Sequence, residues 1–242
     1  MLIDKLLYKE TLADLWHEVF GDSYSYINLI FNKEYNDSIL CFAKVEDEKV
    51  VSAFYLLKST LKFNGKIYNG YYLYAAATLA SHRGKGIMGD LINEAHSYCK
   101  SKSVDFISLV PSEEGLYSYY KRFGFESSMY KCRCSTSREK LVEIDSKAYY
   151  NHRTTLDINY INFDKYAFSY AADCFDAVGA AFYKDDKNKC FFCIDDENEI
   201  IEVISDDIIL EEKIPFGMIL PITAELIRNW HYTDIYMNIA LD

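Results

Sequence analysis

The stretch SHRGKGIMGDLI, residues 81–92, constrains this chain more than any other. Gly84, Gly86 and Gly89 spell G-x-G-x-x-G directly after an apolar extended run, YNGYYLYAAATL. From Ile87 to about Lys102 the apolar residues recur at helical spacing. Ile87, Leu91, Ile92, Ala95 and Cys99 share one face, opposite Asp90, Asn93, Glu94, Ser97 and Lys100. A strand, a glycine loop and a helix in that order point unpaired backbone N–H groups and the positive end of a helix dipole at whatever lies beyond the loop. That is a ready site for an anion, and glycine lets the anion approach the main chain closely.

Two phosphate-bearing ligands compete for such a loop. A dinucleotide needs an acidic residue about 20 positions on, at the carboxyl end of the next strand. Asp105 lies at about that distance, but the apolar run Phe106–Val110 follows it, so Asp105 stands at the strand's entrance. Several strands also precede the loop, which leaves the glycines in mid-domain. The dinucleotide reading therefore fails on geometry. Arg83 and Lys85 add positive charge that a dinucleotide loop does not require. Coenzyme A, with a pyrophosphate and a separate 3′-phosphate, is expected to attract such extra cations, and a glycine-containing turn before a surface helix is the other reading of this window.

Around the loop the chain reads as helix, antiparallel strands, strand–loop–helix–strand, helix, strand. TLADLWHEVF (11–20) carries Leu12, Leu15, Trp16 and Val19 on a helical stripe. SILCFAKVEDEKVVSAFYLLKSTLKF gives two apolar strands about an EDEK turn, and FNGK turns the chain into the strand before the loop. VDFISLV is a short buried strand stopped by Pro111. SEEGLYSYYKRF then reads as a helix with Ser112 as N-cap and two glutamates in its first turn, and Gly124 ends it. Tyr117 is expected to share a helical face with Tyr120, with Tyr119 pointing elsewhere. FESSMYKCRCS returns as a strand, and a polar stretch at about 135–148 separates this unit from the rest.

Beyond that stretch, GAAFYKDDKNKCFFCIDDENEIIEVISDD predicts three short strands with acidic turns. KIPFGMILPI is extended, TAELIRNW is a helical turn, and DIYMNIALD is a final strand. The expectation is a mixed α+β chain in two units, 1–137 and 138–242, the second smaller.

The chain has 242 residues, half of them apolar, so it can bury a sizeable core. Its net charge of −11 argues against a nucleic-acid or anionic-membrane partner, since phosphate surfaces are bound through basic patches, and mildly favours a cationic one. No apolar run approaches the roughly 20 residues of a membrane span. The N-terminus carries early acids and no uninterrupted apolar core, so it does not read as a signal peptide. Seven cysteines, an odd number scattered through apolar stretches, suit the reduced thiols of a cytoplasmic protein.

ATLASHRGKGIMGDLI resembles the acyl-CoA-binding motif of the GCN5-related N-acetyltransferases, Arg/Gln-x-x-Gly-x-Gly/Ala. Arg83 and Gly86 match it, while Met88 stands where a small residue is usual and Gly89 comes one place later. The bulkier residue there looks like the branch of the enhanced-intracellular-survival acetyltransferases. YKRFGF, Tyr120 to Phe125, is similar to the family's Tyr-x-x-x-Gly-Phe motif, and PFGM with the ending YMNIALD is similar to C-terminal units of that branch.

The resemblance covers about residues 1–135. It implies a twisted, mostly antiparallel sheet splayed at the acyl-CoA site, and a C-terminal unit for which a degenerate copy of the same fold is one reading. It also implies transfer of an acetyl group from acetyl-CoA, the acyl-donor substrate, to a primary amine of a small molecule, polyamine or peptide. The residues expected to hold acetyl-CoA are Ala76, Ala77, Thr78, Arg83, Gly84, Lys85, Gly86, Ile87, Met88 and Gly89. A backbone N–H near Ala77 or Thr78 would polarise the thioester carbonyl. Tyr120 is expected to be the general acid, because an ordinary phenol, with a pKa of about 10, is protonated at neutral pH. The sequence identifies no general base. Glu113 and Glu114 lie near the expected mouth of the site but suit a helix dipole equally, and the terminal carboxylate of Asp242 is a further candidate. No base is needed if the amine loses its proton through water. The rival reading keeps the loop in a non-catalytic acyl-CoA sensor with no acceptor site.

No metal set is expected. Cys190 and Cys193 form C-x-x-C, but residues three apart on a strand face opposite sides, so the thiols should diverge. DDENEIIEV opens like a calcium loop yet lacks its glycine, and reads as a hairpin turn. The five histidines show no metal spacing.

Overall fold

The strand pairings begin from turns the sequence writes locally. In the computed structural model, which describes residues 1–132, 138–156, 158–185, 187, 190–205, 213–229 and 235–236, a short β1 (Leu2–Ile3) leads to α1 (Lys9–Phe20) and α2 (Tyr24–Ile27). β2 (Ile39–Glu46) turns through Asp47 and Glu48, both at positive φ, into β3 (Lys49–Phe63). Asn64 and Gly65, again both at positive φ, turn β3 into β4 (Lys66–Thr78). Left-handed residues at both turn positions match the twist of antiparallel strands, so these hairpins set the sheet's register.

After the glycine loop come α3 (Ile87–Ser101), β5 (Phe106–Leu109), α4 (Glu114–Lys121) and β6 (Glu126–Cys132). The chain continues through β7 (Leu141–Ile144), α5 (Ser146–Arg153), β8 (Tyr160–Phe163) and α6 (Lys165–Ala177). It ends with β9 (Ala181–Asp185), β10 (Cys190–Ile194), β11 (Ile200–Ser205), β12 (Lys213–Pro221), α7 (Ala224–Asn229) and β13 (Ile235–Tyr236). The polar stretch read as a separator thus contains β7 and the start of α5. Residues 237–242, including Asp242, lie outside the described residues.

The larger sheet has the order β1-β2-β3-β4-β5-β12-β6-β13-β8, and the smaller one β11-β10-β9-β7. The mixed, mostly antiparallel architecture expected from the sequence is therefore present. Among the described residues, three strands of the larger sheet come from beyond residue 137. β12 lies between β5 and β6, antiparallel to both, and β8 pairs with β13 and with the far half of β3.

β3 is buried continuously from Val50 to Leu57, and its period-2 alternation divides the interior into two cores. Tyr55 and Leu57 face one core, with Trp16 of α1 and Phe168 and Cys174 of α6. Phe54 and Leu56 face the other, with Leu91, Ile92 and Cys99 of α3 and Tyr120 of α4. Each fully buried Leu or Phe contributes about 1.5–3 kcal/mol relative to exposure, so helices are held on both faces of the sheet.

The cysteines are distributed as the strand geometry requires. Cys193 is buried in the first core, whereas Cys190 is half-buried on the other face of β10, against a satellite cluster around Phe192. Burial pushes the Cys41, Cys99 and Cys174 thiols up to about 12. The thiolate is the reactive form, so at pH 8 these three should stay unmodified while Cys190 reacts, with rates apart by about tenfold or more. Peptide mapping after a brief iodoacetamide pulse checks this. Equal labelling of Cys41 and Cys190 would contradict this packing.

Candidate active site

β5 pairs in parallel only with Gly70–Tyr72 of β4, while β4 runs on to Thr78. The two strands part there, which leaves Leu73–Thr78 without a β5 partner. On the opposite edge the β3–β4 register slips. Tyr55 faces Tyr74 and Ala53 faces Ala77, so Phe54 alone stands against Ala75 and Ala76. This is a β-bulge, with Ala75 at φ 50°, and a bulge takes backbone groups out of the ladder and re-aims side chains. Ala75 lines one cleft and Ala76 another.

The cleft at Ala76, about 590 Å³, lies where the strands part. Thr78, Arg83, Gly84, Gly86, Ile87 and Met88 form one wall of it. The other comes from α4 and its flanks: Glu113, Leu116, Tyr119, Tyr120 and Arg122. Gly86 is the N-cap of α3 at φ 81°, a left-handed conformation that glycine adopts without penalty, and no side chain caps the helix. The first N–H groups of α3, from Ile87 onward, therefore have no intrahelical acceptor. Arg83 donates from Nε to the Thr78 carbonyl at 3.0 Å, and the Thr78 hydroxyl lies 2.8 Å from Ser52 Oγ, which ties the loop to the end of β4.

Met88 combines two roles. It lines the cleft and packs against the second core. Gly89 is buried because α3 passes Phe123, where an added Cβ would lie 3.0 Å from the ring. Ala77 is buried in the first core and Lys85 is exposed, and neither lines the cleft. Asp105 accepts from Asn69 N at 2.8 Å and Thr223 Oγ1 at 3.0 Å, so it clamps the start of β5 to neighbouring chain.

Two local expectations are corrected. The N-cap of α4 is Glu113, not Ser112, and it makes no side-chain capping bond. Ser112 instead lines the cleft at Ala75. Tyr119 does not point elsewhere. It shares the Ala76 cleft with Tyr120, whereas Tyr117 does not line it. Pairwise stacking explains this: the Tyr119 ring meets those of Tyr120 and Phe123 edge-on at 5.2 Å each, and the Arg122 guanidinium sits 4.7 Å over it. Burial raises the Tyr119 phenol, with Arg122 opposing. Tyr120 is buried against Phe125, the aromatic of the same motif.

The cleft at Ala75 is larger, about 790 Å³, and of opposite character. α1 and the turn after it supply Trp16, Phe20 and Asp22. Tyr26 and Tyr74 continue the aromatic surface, α6 adds Cys174 and Phe175, and its C-cap adds Val178. Trp16 Nε1 donates to Asp22 Oδ2 at 2.7 Å, and the Tyr26 and Tyr74 hydroxyls lie 3.3 Å apart. Burial raises the Tyr26 phenol. The turn between β10 and β11 brings Asp195, Asp196 and Glu197 to this cleft. Its described lining therefore holds four carboxylates and no Lys, Arg or His, while the described lining of the Ala76 cleft holds Arg83, Arg122 and His82 with one carboxylate, Glu113. The sequence alone marks the acidic stretch as a hairpin turn and residues 11–20 as a helix. Nothing local connects Asp22 with Asp195.

A family profile described as "Acetyltransferase (GNAT) domain" matches residues 8–128. No curated protein sequence matches the chain. Solved structures share the fold at low identity. A "Probable N-Acyltransferase" from Enterococcus faecalis V583 is 11% identical, with a TM-score of 0.66 over 92% of this chain and 72% of that one. Eis1 from Mycobacterium abscessus is 9% identical, with a TM-score of 0.66 over 91% and 73%. A GCN5-related N-acetyltransferase from Kribbella flavida is 11% identical, with a TM-score of 0.62 over 90% and 70%.

Proposed function

The chain belongs to the GNAT acetyltransferase family, and from that premise we propose that it moves an acetyl group from acetyl-CoA to a primary amine of a small molecule or peptide by direct attack. One observation carries the reading: a cationic cleft and an anionic cleft meet on either side of the Ala75–Ala76 bulge. The phosphates of the donor belong at the α3 N-terminus with Arg83, and its pantetheine arm along the open edge of β4 from Ala76 to Thr78. The acceptor belongs on the Ala75 side.

The chemistry follows from that placement. The amine arrives as an ammonium ion, loses a proton to water, and its lone pair attacks the thioester carbonyl carbon. Backbone N–H groups freed near the bulge stabilise the oxyanion, a contribution of several kcal/mol for a well-aimed donor. The tetrahedral intermediate collapses with cleavage of the C–S bond. Its electron pair goes to sulfur, which takes the Tyr120 proton, and the amine nitrogen's second proton leaves to solvent as the amide forms. Solvent then reprotonates Tyr120.

Thermal unfolding with acetyl-CoA, followed by thiol release across a panel of amines, tests this. At a hundred times Kd the folded state gains about 2.7 kcal/mol, which raises Tm by roughly 5–10 °C for a chain of this size. No shift at millimolar acetyl-CoA would overturn the reading. Binding without turnover of any amine would replace it with an acyl-CoA sensor.

A further inference from the structure

We infer that the Ala75 cleft selects an unbranched aliphatic amine carrying at least two positive charges, with the turn between β10 and β11 reading the charge that does not react. This rests on the acyl transfer proposed above and names the acceptor class for that site. The cleft has two kinds of lining. Trp16, Tyr26 and Tyr74 form an aromatic floor next to the bulge, with Trp16 and Tyr74 edge-on at 5.4 Å. Such rings accept methylene groups by burial and ammonium groups over their faces.

The carboxylates come from two separate elements. Asp22 follows α1 and is oriented by the Trp16 indole, and Asp195, Asp196 and Glu197 come from the smaller sheet. The turn is built rather than loose: Asp195 Oδ1 accepts from Glu199 N at 2.7 Å, Asp195 N donates to Glu199 O at 3.0 Å, and Asn198 takes φ 68°. Among the described residues, no ion pair occupies Asp22 or these three acids.

Four carboxylates and no cation in the described lining disfavour an acceptor bearing its own carboxylate, and a single ammonium leaves most of the field unmatched. A chain with one amine at the thioester and a second cation at the turn satisfies both ends, with its methylenes along the floor.

The test compares 1,4-diaminobutane and spermidine with n-butylamine and with a lysine-containing peptide at fixed acetyl-CoA. The expected result is a kcat/KM at least thirtyfold higher for the diamine than for butylamine. Asp195→Asn/Asp196→Asn/Glu197→Gln should collapse that preference below threefold. Removing three exposed carboxylates elsewhere (Glu10→Gln, Glu34→Gln, Glu143→Gln) should preserve it, separating local recognition from net charge. Butylamine or the peptide matching the diamine would overturn the inference while leaving acyl transfer intact.

Calorimetry of spermidine without acetyl-CoA separates the two layers. Spermidine binding that the turn variant weakens tenfold, in a protein that acetylates nothing, would sink the transfer reading and keep the cleft assignment. Absence of spermidine binding together with equal turnover of all amines would sink the assignment alone.

Discussion

Tyr120→Phe is expected to lower kcat by about a hundredfold or more, with the acetyl-CoA KM within about twofold of the parent. The magnitude is that of a positioned general acid, typically 10²–10⁴-fold. The substitution removes only the hydroxyl. The ring is buried in the second core and edge-on to Phe125 at 5.8 Å, contacts that phenylalanine keeps, so the fold should survive. Tyr119 makes the comparison decisive, because it lines the same cleft. Tyr119→Phe should cost less than threefold. If Tyr119→Phe takes the large loss and Tyr120→Phe the small one, the proton comes from the neighbouring ring. If neither variant loses tenfold, the leaving thiolate is protonated by solvent. A leaving group that needs no proton should also separate the steps: with an activated aryl thioester as donor, the Tyr120→Phe defect should shrink toward unity.

The packing of Tyr120 against Phe125 is legible in the sequence because the motif is short-range. Gly124 at φ 89° ends α4 and Phe125 packs back onto Tyr120, so three residues within six positions fix each other. The loop was legible for the same reason: Gly86 at the start of α3 and the amphipathic face behind it are set by nearest neighbours. The two hairpins around β3 were also readable, as EDEK and FNGK.

What stayed hidden depends on long-range register. The bulge at Ala75 arises where β3 and β4 slip past one another, and an alanine run carries no mark of a slip. The place of β12 between β5 and β6 depends on about a hundred intervening residues, so KIPFGMILPI reads as extended without a partner. The side of α4 facing the cleft was misjudged for Tyr119 because ring stacking on Phe123 sets it. The Ala75 cleft is the extreme case. Its lining comes from α1, β4, α6 and the turn between β10 and β11, and no window of sequence contains more than a part of it.

The union of those distant parts leads to the largest expected change in stability. Arg153→Met should destabilise the fold by about 3–5 kcal/mol, because it leaves Glu202 buried without its counter-charge. Arg153 and Glu202 are only 2% and 1% exposed. Arg153 Nη2 donates to Oε1 at 2.7 Å and Nε to Oε2 at 3.1 Å, a two-pronged geometry, and Tyr149 donates to Oε2 at 2.6 Å. The guanidinium also donates to Asn162. Asn162 sits on β8 in the larger sheet and Glu202 on β11 in the smaller, so this one side chain bonds both sheets.

Urea denaturation of the single variant, of Glu202→Leu and of the double variant gives the cycle. The double should recover most of the loss, since an apolar pair removes the uncompensated charge, with a coupling of about 2 kcal/mol or more. Because β11 follows directly from the acidic turn, the acceptor KM should rise in Arg153→Met while the acetyl-CoA KM, with the donor proposed to bind across the bulge, stays put. Additive single losses would mean the ion pair is not what joins the two sheets. Both KM values rising together would mean that its loss reaches the donor cleft as well.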